Sequence, residues 1–185
     1  MPFATWWRGD PLPVLPPLPS LLARRVTRWD EARRVTGLTE DRVVLRFQGG
    51  HRPYAAFLDD EPVAYGWAAL QGGGIDELDF SFEVPPDDCY LWDFVTLPDW
   101  RGRGIYPHLL QAILRQEDAV SRFWIGYEAG NQASARGIAK AGFGVVGDLE
   151  GEGHRRGCAT VDEDALHLVA AAAHRAAPSV RKSLQ

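Results

Sequence analysis

Two arginines and two glycines separate an apolar segment from an amphipathic one in this chain of 185 residues. They occupy residues 101–104, after the apolar residues 91–97 and Pro98, and a helical stripe of apolar side chains begins at Ile105. A strand that turns through glycines into a helix leaves backbone N–H groups at the helix N-terminus, where they bind anions. The spacing therefore predicts a cradle for a phosphate-bearing ligand at residues 101–106.

Two common phosphate-binding loops do not fit this segment. The nucleotide-binding P-loop requires GxxxxGK[ST], and this string does not occur in the chain. The dinucleotide fingerprint GxGxxG is met by Gly102 and Gly104, but Pro107 stands at the third glycine. If the segment does not bind phosphate, the alternative interpretation is a solvated Arg-Gly turn without a function.

A third pattern, Q/R-x-x-G-x-G/A, agrees with the loop except at its last position, where Tyr106 replaces a small residue. The longer string from Thr96 to Ile105 follows the order V-x-P-x-Y-R-G-x-G-I, with Thr96 at the position of Val and Trp100 at the position of Tyr. Downstream, the pattern N-x-x-A/S…G-F is matched by Asn131, Ser134, Gly142 and Phe143. In these motifs the chain resembles the GNAT acyltransferase superfamily, over roughly residues 50 to 150.

The resemblance implies an α+β fold of the GNAT-like acyl-CoA acyltransferase type, with a central mixed, mostly antiparallel sheet flanked by helices. The glycines at residues 72–74 predict a loop. We expect a proline-rich N-terminal arm at residues 1–20, a single domain at 21–170 and a C-terminal tail at 171–185. Local patterns predict strands at 21–29, 54–58, 63–70, 78–84, 90–97, 123–127 and 143–146. They also predict a short helix through Arg34, capped by Asp30 or Thr27, and helices from 39, at 105–117 and at 131–142.

The resemblance also implies acetyl-CoA as the acyl donor, with its diphosphate in the predicted cradle. Backbone amides and the helix dipole favour an anion there, and neighbouring arginines add charge-assisted hydrogen bonds. In the family, the strand before the loop bulges, and its amides hold the pantetheine arm and polarise the thioester carbonyl. The implied cofactor-binding residues are Phe94, Val95, Thr96, Arg101, Gly102, Arg103, Gly104, Ile105, Tyr106, Asn131 and Ser134.

The implied reaction transfers an acetyl group to a primary amine of a small molecule, a peptide or a protein. No Ser or Cys lies in a nucleophile elbow, which favours direct attack without a covalent enzyme intermediate. The tyrosine that serves as general acid in the family is replaced by Ile138. Ser134 is therefore the nearest polar candidate for that role. Trp92 replaces a glutamate found in polyamine-type members, which leaves Asp93 and then Glu83 as candidate bases.

Each candidate catalytic residue also has a structural interpretation. Asp93 lies on a predicted central strand, where a buried carboxylate requires a partner, so a structural ion pair is as consistent as a catalytic role. Ser134 fits the first turn of a helix equally well. Tyr106 and Tyr127 are further candidate proton donors, and Glu128 is a weaker candidate base.

Two other classes of function remain open from the sequence. Loss of the family tyrosine at Ile138 and of the glutamate at Trp92 is also expected of a non-catalytic acyl-CoA-binding or regulatory module. A structural protein that dimerises through the tryptophan-rich arm and keeps only a vestigial cleft is the weaker alternative. Such a protein would not be stabilised by coenzyme A.

Composition excludes some partners. The net charge of −5, without a basic cluster, argues against nucleic acid. No run reaches the roughly 20 apolar residues of a membrane span. Neither cysteine, Cys89 or Cys158, has metal or CxxC spacing, so we expect no metal and a reducing cytoplasm. Trp6 and Trp7 should anchor the arm on the domain or on a second subunit, which leaves a homodimer open.

Overall fold

The computed structural model of the protein describes residues 1–75 and 80–148. The end of the predicted domain and the predicted tail lie outside these residues. Strands and helices follow one another in the order β1 (Pro2–Trp7), β2 (Leu21–Arg25), α1 (Trp29–Thr36), α2 (Glu40–Gln48), β3 (Arg52–Leu58), β4 (Glu61–Ala69), β5 (Gly72–Ile75), β6 (Phe80–Glu83), β7 (Asp88–Thr96), α3 (Ile105–Gln116), β8 (Arg122–Gly126), α4 (Gln132–Ala141) and β9 (Gly144–Asp148).

The main sheet has seven described strands in the order β2-β3-β4-β7-β8-β1-β9. Among the described pairings, β7 and β8 are parallel and the others are antiparallel. Strands β5 and β6 form a separate antiparallel hairpin. The prediction of an α+β fold with a mixed, mostly antiparallel sheet and flanking helices is confirmed.

The glycine-rich loop predicted at residues 72–74 is wrong, because these residues belong to strand β5. Their backbone pairs with β6 from Gly72↔Glu83 to Ile75↔Phe80. At Gly73 the absence of a side chain has a packing reason, since a Cβ there would lie 2.7 Å from the Phe82 ring and 2.8 Å from that of Tyr90. Here glycine makes room for aromatic rings.

The N-terminal arm predicted over residues 1–20 is corrected at its start, because β1 lies inside the main sheet. It pairs with β8 on one side and with β9 on the other. Trp6 is buried and its ring centroid lies 5.9 Å from that of Phe123, whereas Trp7 remains partly exposed. The proline-rich part of the predicted arm therefore begins only after this strand.

Helices cover both faces of the sheet. Neighbouring residues of β3 point to opposite faces, as a strand requires, and they separate two apolar clusters. Ala56 belongs to the cluster that contains Leu109 of α3 and Ile138 of α4. Ala55 belongs to the cluster that contains Val43 of α2. Helices α3 and α4 thus pack on one face, and α1 and α2 pack on the other.

The parallel strands β7 and β8 separate before β7 ends. Their pairing runs from Asp88↔Arg122 to Leu91↔Ile125, whereas β7 continues to Thr96 alongside β4. The C-terminal half of β7 therefore has one edge without a described partner strand. A gap opens at that edge, and the N-terminus of α3 lies beside it.

The end of β1 also fixes the end of α3. The guanidinium of Arg8 donates to the carbonyl oxygens of Leu114 at 2.9 Å, Glu117 at 2.6 Å and Val120 at 3.0 Å. Carbonyl groups at a helix C-terminus have no intrahelical partner and carry partial negative charge, so a cation stabilises them. Arg8 therefore ties the N-terminal strand to the helix whose other end forms the predicted cradle.

We expect Arg8→Gln to lower the free energy of unfolding by about 2 kcal/mol, because it removes charge-assisted hydrogen bonds to three carbonyl groups. Urea denaturation measures this as a lower midpoint with an unchanged slope. Arg34→Gln is the matched control, since Arg34 is exposed and makes no hydrogen bond or ion pair with the described residues. Equal midpoints for the two variants would contradict the structural role of Arg8.

Candidate active site

A β-bulge in β7 lies at the point where this strand leaves β8. Tyr65 of β4 pairs with Val95 and Trp67 pairs with Trp92, so Gly66 alone faces two residues of β7, at positions 93 and 94. A bulge with two residues opposite one bends the strand and increases its twist. The side chain at position 94 fills the space beside the glycine, because a Cβ on Gly66 would lie 2.1 Å from that ring.

Asp93 occupies the bulge with an unusual backbone conformation and a fixed partner. Its φ of 51° lies in the left-handed region, which Asp tolerates better than most residues. Its carboxylate accepts a hydrogen bond from the Arg46 guanidinium at 2.5 Å, and the two side chains are 30% and 18% exposed. The guanidinium also lies 4.3 Å from the Trp92 ring centroid and 4.8 Å from that of Trp67. Two cation–π contacts thus hold Arg46 in place, and its ion pair holds Asp93 from the α2 side.

A cleft of about 690 Å³ lies on the other side of the bulge, between the end of β7, α3 and α4. Its positive charge comes from Arg101 at the loop and from two α4 residues one turn apart, Arg136 and Lys140. It is lined by Phe94, Val95, Thr96, Trp100, Arg101, Gly102, Gly104, Ile105, Tyr106, Pro107, Asn131, Ala133, Ser134, Arg136, Gly137 and Lys140.

The loop before α3 has the geometry of an anion cradle. Gly102 and Gly104 have φ values of 76° and 79°, which glycine adopts without strain. Among the described residues, no backbone carbonyl accepts a hydrogen bond from the amides of residues 102–104. Gly102, Gly104 and the first turn of α3 line the cleft, whereas Arg103 does not. Arg101 donates to the Thr96 carbonyl at 3.1 Å, while the Arg103 guanidinium lies 4.7 Å from the Trp100 ring centroid.

A second cavity of about 460 Å³ lies on the α2 side of the bulge. Its charged lining side chains are Arg42 and Arg46 of α2, Asp93 of β7 and Glu128 after β8, and it is also lined by Met1, whose N-terminal ammonium lies 4.0 Å from the Asp148 carboxylate. Four residues line both this cavity and the cleft, so the two meet at one wall. The shared residues are Phe94, Tyr106, Asn131 and Ser134.

Tyr106 crosses from α3 to α4 at this shared wall. Its ring fills the space beside Gly137, where a Cβ would lie 2.4 Å away, and its centroid is 5.5 Å from that of Phe94. Burial raises the pKa of Tyr106 to about 12, and a hydrogen bond with the Ser134 side chain acts in the opposite direction. The phenol therefore stays protonated at neutral pH and can donate a hydrogen bond.

His51 and Trp92 form one wall behind the second cavity. The Trp92 indole N–H donates to Nδ1 of His51 at 3.1 Å. Burial lowers the pKa of His51, and the nearby Arg46 cation lowers it further. His51 is therefore neutral at pH 7 and serves as an acceptor for the indole.

The other sequence-predicted residues have different surroundings. Asn131 caps α4, because its side chain accepts from the Ser134 amide at 2.9 Å. Ile138 is buried in the core, and Glu83 on β6 lines neither cavity. Glu77 and Asp79, which are near Glu83 in sequence, lie outside the described residues.

Sequence reasoning missed several residues of the site. Arg42 and Arg46 on α2, and Arg136 and Lys140 on α4, are each four residues apart, so each pair shares a helix face. This spacing was a detectable signal, but it did not show which face would meet a cleft. The need for Gly66 beside the bulge had no local signal.

The model of the Acetyltransferase (GNAT) family matches residues 20–143, which is more than half of the chain. The chain belongs to the GNAT acetyltransferase family. No curated protein sequence matches this GNAT protein. None of its described helices is long and apolar enough to cross a membrane.

Solved structures share the fold at low sequence identity. A GNAT-family acetyltransferase structure from Novosphingobium aromaticivorans has a TM-score of 0.51 and 16% identity, and the match covers 78% of this chain and 59% of that one. A GNAT protein from Kribbella flavida has a TM-score of 0.52 and 16% identity, and the match covers 78% of this chain and 53% of that one. The chain thus spans between half and three fifths of these two proteins. Aminoglycoside N-acetyltransferase AAC(6')-Iy, solved with CoA, has a TM-score of 0.52 and 15% identity, and the match covers 74% of this chain and 99% of that one.

We expect Gly66→Ala to disturb the bulge, because the new Cβ would overlap the Phe94 ring at 2.1 Å. Overpacking of this kind costs about 1–3 kcal/mol of unfolding free energy. Gly72→Ala is the matched control on a neighbouring strand, since its Cβ would meet its nearest atom at 3.5 Å. Urea denaturation of both variants tests the packing, and Gly66→Ala as stable as the control would contradict it.

Proposed function

We propose that this protein is an acetyl-CoA-dependent N-acetyltransferase that transfers the acetyl group directly to a primary amine. The observation that carries the proposal is the meeting of two cavities at the bulge in β7. One cavity is bordered by the amide cradle and basic side chains, and the other contains charged and aromatic groups. A donor and an acceptor could therefore approach one carbonyl carbon from opposite sides.

The cleft fits the chemistry of coenzyme A. Amides at residues 102–106 and the N-terminus of α3 would bind the diphosphate, as the family resemblance implies. Arg101, Arg136 and Lys140 supply the positive charge that balances it. The edge of β7 beyond Leu91 has no described partner strand, so those amides of residues 94–96 that point to this edge are available for the pantetheine arm and the thioester carbonyl.

Tyr106 is the best-placed donor to the departing sulfur. It lies at the wall that both cavities share, and Ser134 lies within hydrogen-bonding reach of its hydroxyl. A neutral phenol that donates a hydrogen bond stabilises negative charge developing on sulfur as the carbon–sulfur bond breaks. This gives Tyr106 and Ser134 the role that the family assigns to the residue at the position of Ile138.

A non-catalytic acyl-CoA-binding module remains the second candidate, and one observation favours it. Asp93, the first candidate base, is engaged by Arg46 and by the aromatic rings around it. A thiol-release assay against a broad panel of amines separates the two functions. Turnover supports the transferase, whereas stabilisation by acetyl-CoA without turnover supports the binding module.

Peptide or protein acceptors, a homodimer and a cytoplasmic location stay predictions. Aminoglycosides are acceptors of the neighbouring structures named for them, and this acceptor is not carried over to the present protein. Their low identity to this chain supports the shared fold and leaves the acceptor to be argued from this protein's own residues.

We expect Gly104→Asp to abolish coenzyme A binding, because it places a carboxylate in the cradle where the diphosphate would lie. Gly104→Asn is the matched control, since Asn has nearly the same shape, carries no charge and tolerates a positive φ. A Cβ at this position meets no atom within 4 Å, so both variants should fold. Calorimetric titration with coenzyme A measures the affinity, and tight binding by the Asp variant would contradict the proposed location.

We expect Tyr106→Phe to lower kcat by about 10- to 100-fold with little change in the KM for acetyl-CoA. The phenyl ring keeps its packing against Gly137 and Phe94, so the variant removes only the hydroxyl. Because the pKa of Tyr106 is raised to about 12, wild-type activity should not fall from tyrosine ionisation up to about pH 10. An unchanged kcat in the variant would show that the hydroxyl does not assist departure of the thiol.

A further inference from the structure

The cavity on the α2 side, which we call the acceptor cavity, has charges of both signs in its described lining. Arg46 and Asp93 neutralise each other in an ion pair. Arg42 and Glu128 form no ion pair or side-chain hydrogen bond with the described residues, and both are exposed. One cation and one carboxylate therefore remain available to a ligand.

These two groups lie on different walls of the acceptor cavity. Arg42 precedes Arg46 by one turn of α2, and it lines the acceptor cavity but not the coenzyme A cleft. Glu128 is next to the wall that both cavities share, since its carbonyl accepts from the Asn131 amide at 2.9 Å. The cation thus comes from α2, and the carboxylate comes from the loop after β8, next to the shared wall.

We propose that the acceptor is a small primary amine that carries an anionic group, bound with the anion on Arg42 and the amine toward Glu128. This inference rests on the proposed transferase function. Arg binds carboxylate or phosphate through two parallel hydrogen bonds, and a carboxylate attracts an ammonium group. The cavity volume of about 460 Å³ is in the range of sites for small molecules.

The reaction balances for such an acceptor. The ammonium group first releases one proton to water beside Glu128. The neutral nitrogen then forms a bond to the acetyl carbonyl carbon, and the carbon–sulfur bond breaks. The sulfur leaves as a thiol after taking the proton that the attacking nitrogen loses. The products are the N-acetylated acid, coenzyme A and one proton.

The same charges disfavour a polycationic acceptor. Among the described lining side chains, the two arginines balance the two carboxylates, and the unpaired arginine would repel a second ammonium group. An aminoglycoside offers several ammonium groups and no anion for Arg42. We therefore expect a different acceptor from that of the aminoglycoside N-acetyltransferases that share this fold.

The test compares matched acceptors on the full-length protein by thiol release from saturating acetyl-CoA. Amino acids are paired with their carboxamides, phosphoethanolamine is paired with ethanolamine, and an aminoglycoside is the polycation. Each rate is expressed per neutral amine, because the anion also changes the pKa of the amine. We expect kcat/KM to favour at least one anionic partner by about tenfold or more, and the favoured pair tells carboxylate from phosphate.

The variant Arg42→Gln should remove this preference by raising the KM of the anionic acceptor, with little change for its neutral partner. Arg34→Gln, an exposed arginine that lines neither cavity, is the control and should keep the preference. Neutral or polycationic acceptors that match the anionic ones in the wild type would overturn the inference and leave the transferase intact. So would an equal loss for both partners in Arg42→Gln. If no amine releases thiol, the proposed function and this inference both fail.

Discussion

The site depends on one irregularity, the bulge at residues 93–94 of β7 opposite Gly66. It bends the strand just after Leu91, the last residue paired with β8, and a gap separates the two parallel strands from there on. The same bend leaves backbone amides exposed on one side and turns Asp93 to the other. Phe94, in the bulge, lines both cavities.

The bulge is stabilised from outside the strand. Asp93 has a positive φ that costs free energy, and its ion pair with Arg46 offsets part of that cost. Desolvation of such a pair is expensive, and contact of the guanidinium with two indole rings lowers the cost because Arg is weakly hydrated. The pair is therefore mainly structural in this account, and chemistry is assigned to groups at the shared wall.

Local signals in the sequence were sufficient for the turn before α3 and for most elements. The glycines at residues 102 and 104, the cap at Asn131 and the end of α4 at Gly142 each act within a few residues, so their patterns predicted the observed geometry. The fold class followed from the same motifs through the family resemblance. The contacts of Arg46 with Asp93 and of Gly66 with Phe94 join distant segments, and no local pattern contains them. The place of β1 between β8 and β9 also depends on contacts between distant segments. The prolines that follow it indicated an extended arm, so this short buried strand was assigned to the arm.

Backbone amide chemical shifts during a titration with coenzyme A test the central claim most directly. The account predicts saturable shifts, largest at residues 94–96 after the bulge and at residues 102–106 of the cradle, with smaller changes at Asn131 and Ser134. These amides are close to the cleft and report the ligand without need of an acceptor. Saturable shifts confined to another surface, or no shifts at millimolar ligand, would contradict the account.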